Sequence, residues 1–178
     1  MTLSQSQTPT NRISQLLLGI YLVVLLWIIL FKLGVEFEYQ DSRIINLNPF
    51  PELLQEGAIL DLSQVILNVL IFLPFGIYLQ VLHPKKSFLK KLLYCFLLSL
   101  SLEVSQYIFK IGALDTTDLI TNTSGGFLGL GLVKILQVWT GNPLKVQRTI
   151  NVLASLGTIL IVTLLVLLRL DMLPIRYR

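Results

Sequence analysis

A chain of 178 residues that is 54% hydrophobic and 13% charged, with a mean hydropathy of +0.76, is too apolar for a water-soluble domain and has room for only a few membrane spans. Topology accounts for the formal net charge of +4, and no basic run interleaved with exposed aromatics speaks for nucleic acid. Cys95 is the single cysteine and lies inside an apolar run, which excludes an intrachain disulfide and a thiolate metal cluster.

Residues 1–12, rich in Ser, Thr and Gln, read as a polar tail. Residues 13–34 follow as ISQLLLGIYLVVLLWIILFKLG, which as a helix would reach about 33 Å and cross a bilayer core. A cleaved signal peptide is the rival reading, but the apolar run is long for one and no small-x-small site follows it. Residues 35–60 form a polar loop carrying Arg43, Asn46, Pro49 and Phe50, and its second half, PELLQEGAIL, fits a short amphipathic surface helix. Residues 62–82 make a second span, with Asn68 inside it and a kink expected at Pro74, which removes an amide donor and crowds the carbonyl of Leu70.

A tight basic turn, HPKKSFLKK, leads into a third span from about Leu89 to Phe109, and IGALDTT into a fourth from about Asp118 to Val138. The linker WTGNPLKVQRT then precedes a fifth span, about 149–169, which shows no polar motif, and the chain closes on DMLPIRYR. The organisation is therefore a tail at 1–12, a membrane domain at 13–138, and a linker, fifth helix and short tail at 139–178. The expected fold is an all-α integral membrane bundle of about five transmembrane helices.

Orientation follows from the placement of Lys and Arg beside the spans. Lys85, Lys86, Lys90 and Lys91 crowd one short turn, which puts that turn and the amino terminus in the cytoplasm and the 35–60 loop outside. The expected location is the cell membrane, with several passes.

The segment EVSQYIFKIGALDTTDLITNTSGG, residues 103–126, sets Glu103, Gln106, Lys110, Asp115, Asp118 and Asn122 between long apolar runs, where ionisable groups are costly and mark function. At 100° per residue, Glu103, Gln106 and Lys110 share one helical face, and Asp118, Asn122, Gly125 and Gly129 share a face of the next helix. A structural hydrogen bond from Glu103 to Asn68 or Asn122 is the plain alternative to a functional role. Capping of the fourth helix accounts for one of the two aspartates, and Asp118 is the expected cap. The pair Gly125 and Gly129 has the spacing that lets helices approach closely. Asp115 and Asp118 are also the candidates for holding a cation. The segment contains no histidine, no aspartate-rich repeat, no nucleophile elbow and no phosphate-binding loop, and no cofactor is expected.

The run Arg43-x-x-Asn46-Leu47-x-Pro49-Phe50, then Asn68 with Pro74-Phe75-Gly76, then Glu103-x-x-Gln106, then Asp115-x-x-Asp118-Leu119-x-x-Asn122-Thr123-x-Gly125, resembles the VanZ-like membrane proteins over about residues 43–131. The resemblance implies an association with low-level resistance to the glycopeptide teicoplanin. Such proteins usually carry an arginine shortly before the Asp115 block, where this chain has Gly112, with Lys110 the nearest cation. The expectation is an outward-facing polar pocket, lidded by the Arg43 loop, in which Arg43, Asn46, Asn68, Glu103, Gln106, Asp115, Asp118 and Asn122 bind a lipid headgroup or another cell-envelope ligand. The alternative is a membrane-embedded enzyme on an envelope lipid, with Glu103 as acid or base and Asp115 and Asp118 holding a cation.

Overall fold

The computed structural model describes residues 9–31, 41–50 and 62–169. In chain order these form α1 (Pro9–Phe31), β1 (Ile45–Asn46), α2 (Leu62–Leu82), α3 (Phe88–Phe109), β2 (Leu114–Asp115), α4 (Thr116–Thr140) and α5 (Pro143–Arg169). Among the described residues, five helices are long and apolar enough to cross a membrane. The surface amphipathic helix expected at 51–60 and the closing basic tail lie outside the described residues.

Two boundaries differ from the sequence reading. Helix α1 includes Pro9–Arg12, inside the stretch read as a tail. The linker between α4 and α5 shrinks to Gly141 and Asn142. Gly141 takes a left-handed conformation at the end of α4, and Asn142 accepts the Lys145 amide at 3.0 Å to open α5.

Helices α2 and α4 form the centre of the bundle, and glycine sets their separation. A Cβ on Gly125 would overlap the carbonyl oxygen of Val69, one on Gly129 that of Leu73, and one on Gly76 that of Gly126. The expected role of the Gly125–Gly129 spacing is thus met backbone to backbone, and Gly76 joins the same seam from the α2 side. Around the seam, Phe75, Leu79, Cys95 and Leu130 pack as one apolar cluster, and Leu25, Phe72 and Leu102 as another that draws α1 against α2 and α3. Residues such as Leu97, Leu128, Ile135 and Val138 stay exposed on the outside of the bundle, as lipid-facing positions do.

Helix α2 is continuous through Pro74. The proline leaves the turn before it short of a backbone donor, and the Tyr21 hydroxyl of α1 donates to the Ile71 carbonyl beside it at 2.7 Å.

Candidate functional site

The site is built where α3 ends and α4 begins. Helix α3 stops at Lys110, which adopts a left-handed conformation at φ 58°, while the Ile111 amide donates to the Gln106 carbonyl at 3.0 Å. Lys110 has therefore left the helical register, so the shared face expected for Glu103, Gln106 and Lys110 holds only for the first two. The chain then turns back over the helix end, and the Asp115 amide donates to Glu103 Oε2 at 2.9 Å.

Asp115, not Asp118, is the cap of α4. Its Oδ1 accepts the Thr117 amide at 2.7 Å, and its backbone is extended. The other oxygen, Oδ2, accepts from Asn46 Nδ2 at 3.0 Å. Asp118 falls within the first turn and looks across to α2, where its Oδ1 accepts from Asn68 Nδ2 at 2.7 Å and Gln64 Nε2 at 3.2 Å. The second hydrogen of the Asn68 amide reaches Thr121 Oγ1 at 3.3 Å. One turn deeper, Asn122 Nδ2 donates to Ser99 Oγ at 3.1 Å. Gln106 Nε2 donates to the Ile29 carbonyl of α1 at 3.1 Å.

These side chains converge on a cleft of about 530 Å³ lined by Ile28 and Ile29 of α1, Leu67, Asn68, Leu70 and Ile71 of α2, Glu103 and Gln106 of α3, and Asp118 and Asn122 of α4. Five of the eight residues singled out from sequence thus share one wall system: Asn68, Glu103, Gln106, Asp118 and Asn122. The remaining three are not among its lining residues. Asn46 and Asp115 hold each other, and the Arg43 guanidinium lies 5.8 Å from the centre of the Tyr107 ring.

Residues 41–50 are fastened across this end of the bundle. Strand β1 pairs in parallel with β2, with Ile45 opposite Leu114 and Asn46 opposite Asp115. The Leu114 amide donates to the Ile44 carbonyl at 3.0 Å and the Phe50 amide to Thr117 Oγ1 at 3.0 Å, with Phe50 itself at φ 51°.

Glu103 is 2% exposed. Its hydrogen bond runs to the backbone of Asp115 and not to Asn68 or Asn122, the partners of the plain structural alternative. The turn 111–114 folds back closely enough to deliver an amide directly, and backbone contacts of this kind carry no sequence signal. Ser99 and Thr121 also escaped the sequence reading. Ser99 stands one helical turn before Glu103 on the same face, so its position was open to the same spacing argument. Among the described residues, no group of three or more His, Cys, Asp or Glu side chains is arranged to hold a metal ion.

Gly112 has little space to spare: a Cβ there would lie 3.2 Å from both Cβ and Cδ of Gln106. A larger residue at this place would press on the Gln106 side chain.

The opposite end of the bundle holds two further polar networks. Buried Lys91 donates to Gln80 Oε1, and Gln80 Nε2 donates to Gln137 Oε1 at 3.0 Å, linking α3, α2 and α4. Ser14 Oγ donates to Asn151 Oδ1 at 2.8 Å and accepts from Gln147 Nε2 at 3.0 Å, which ties α1 to α5. The fifth helix, read as lacking a polar motif, thus contributes two buried amides, the first of them within the stretch read as linker.

The VanZ/LLP1 family model matches residues 18–137. The chain is 40% identical over 158 residues to "Protein VanZ" of Enterococcus faecium, covering 86% of this chain and 91% of that protein. No solved structure matches.

Proposed function

The chain belongs to the VanZ/LLP1 family, and from that premise we propose that it acts at the cell membrane by binding a cell-envelope headgroup in the Glu103 cleft, giving low-level teicoplanin-type glycopeptide resistance. The observation that carries this reading is the convergence of Asn68, Glu103, Gln106, Asp118 and Asn122, from three helices, on one cleft. Polar groups at membrane depth are expensive unless partnered, and a bundle that needed only packing could build this end from apolar residues. The loop 41–50, held to the start of α4 by Asn46 and Phe50, forms the lid. In this orientation the lysine turn 83–91 faces the cytoplasm and the lidded end faces outward.

The test is expression in a teicoplanin-susceptible host. Wild-type protein raises the inhibitory concentration of teicoplanin, and Asp118→Leu, which removes the acceptor for Asn68 and Gln64, abolishes the increase while protein remains in the membrane. Full resistance in Asp118→Leu would overturn the cleft as the site of action.

A further inference from the structure

Donor and acceptor groups are unevenly distributed in the cleft, and the imbalance bears on its ligand. Asn122 is 3% exposed, and its Oδ1 is a buried acceptor with no hydrogen-bond partner. Leaving such an atom unmatched costs about 1–3 kcal/mol. Both hydrogens of Asn68 Nδ2 are taken by Asp118 and Thr121, and one hydrogen each of Asn122 Nδ2 and Gln106 Nε2 by Ser99 and the Ile29 carbonyl. By contrast, among the described residues Glu103 accepts through Oε2 and Asp118 through Oδ1. Among the described residues that line the cleft there is no Lys, Arg or His. The walls therefore offer more acceptor than donor capacity, which favours a ligand that brings hydrogens.

Leu67 and Leu70 line the cleft and remain 63% and 56% exposed on the outer surface of α2, so the acyl chains of a lipid whose headgroup lies in the cleft can rest against these leucines. The apolar isoleucines of α1 close the opposite wall.

We infer that the ligand of this cleft is a primary ammonium group carried on a membrane lipid, received by Asn122 Oδ1 together with the carboxyl groups of Glu103 and Asp118. This rests on the headgroup-binding reading and narrows it to one chemistry. An N–H donor and a cation are both required. A phosphate would meet two carboxyl groups without a compensating cation, and a quaternary ammonium has the charge without the hydrogens.

The experiment uses full-length protein in detergent, with lipid binding read by native mass spectrometry. The probes are dioleoylphosphatidylethanolamine, dioleoylphosphatidylcholine and dioleoylphosphatidylglycerol. The ethanolamine lipid is expected to bind at least about tenfold more tightly than the other two, the worth of a charge-assisted hydrogen bond. Asn122→Leu is expected to erase the preference. Asn122→Asp keeps an acceptor at the same place and is expected to preserve it, which guards against a folding defect in the leucine variant. Glycerophosphoethanolamine, which lacks acyl chains, separates a free amine from a lipid-borne one. Competition by it at equal concentration would overturn the lipid source. Equal binding of the ethanolamine and choline lipids would overturn the inference. Preferential binding of the glycerol lipid, if lost in Asn122→Leu, would overturn the ammonium chemistry while leaving the cleft as a headgroup site. Identical binding of all three lipids to wild type and Asn122→Leu would overturn both.

Discussion

Glu103 accepts the backbone amide of Asp115 at 2.9 Å across the turn that joins α3 to α4. Because Asp115 also caps α4 and holds Asn46 of the loop, this single acceptor joins the buried wall of the cleft to residues 41–50. A change at Glu103 will therefore be felt in the position of residues 41–50. With Ile45 opposite Leu114, Ile45→Cys paired with Leu114→Cys, in a Cys95→Ser background, should form a disulfide under mild oxidation. Its yield is expected to fall in Glu103→Leu, and gel mobility before and after reduction measures it. An unchanged yield would show that residues 41–50 are held independently of Glu103.

The glycine seam makes the next expectation. Gly129 would press a Cβ into the Leu73 carbonyl, whereas Gly131, two residues on, has nothing within 4 Å. Gly129→Ala should cost about 1–3 kcal/mol through overpacking of α2 on α4. Gly131→Ala should be neutral or stabilising by up to about 1 kcal/mol, since alanine is the better helix former. Unfolding in mixed micelles compares them, and equal effects would remove the special role of the seam.

That seam was legible in the sequence because a four-residue glycine spacing has a direct geometric meaning, and so were the five spans and the joint polar faces of Glu103, Gln106, Asp118 and Asn122. The turn between α3 and α4 was not. Helical arithmetic was carried one residue too far, to Lys110, because nothing in the residue type announces that a lysine will adopt a left-handed conformation. The same blind spot misassigned the cap: Asp115 and Asp118 have equal intrinsic preference for the role, and only the backbone of the turn chooses between them. The β1–β2 pair escaped because two residues per strand are too few for any alternating pattern. Gln147 and Asn151 escaped because isolated amides in an apolar run gain meaning only from Ser14, more than a hundred residues away.

Lys110 itself is open to test. A non-glycine residue at φ 58° costs about 1–2 kcal/mol relative to an ordinary conformation, and glycine adopts that conformation freely. Lys110→Gly is expected to raise stability by about 1 kcal/mol, with chemical denaturation as the measurement. A loss of stability would mean that the lysine side chain contributes more than its backbone costs.

Orientation gives a prediction that does not depend on the ligand. In a Cys95→Ser background, a cysteine at position 46 should react with a membrane-impermeant thiol reagent in intact cells, and one at position 86 only after permeabilisation. The turn at 83–91 carries four lysines, an excess that holds a short loop in the cytoplasm. The opposite labelling pattern would invert the protein and place the cleft on the inner leaflet.

Replacement of Glu103 separates binding from chemistry. Glutamine keeps a carbonyl oxygen where Oε2 receives the Asp115 amide, so the turn and the lid should survive Glu103→Gln, whereas Glu103→Leu leaves that amide buried and unpaired at a cost of about 1–3 kcal/mol. As a ligand contact, the glutamine side chain retains an acceptor but loses the carboxyl group's capacity for charge, so affinity should weaken without vanishing. As a general acid or base, glutamine is inert, and losing that role typically costs about 100- to 10,000-fold in rate. The measurement is the teicoplanin concentration that halts growth, in cells carrying matched membrane levels of each variant. A binding cleft gives an intermediate value for Glu103→Gln and the empty-vector value for Glu103→Leu. Glu103→Gln at the empty-vector value, with the 45–114 disulfide still forming in high yield, would show an intact lid over a dead site and would move the function from binding to catalysis.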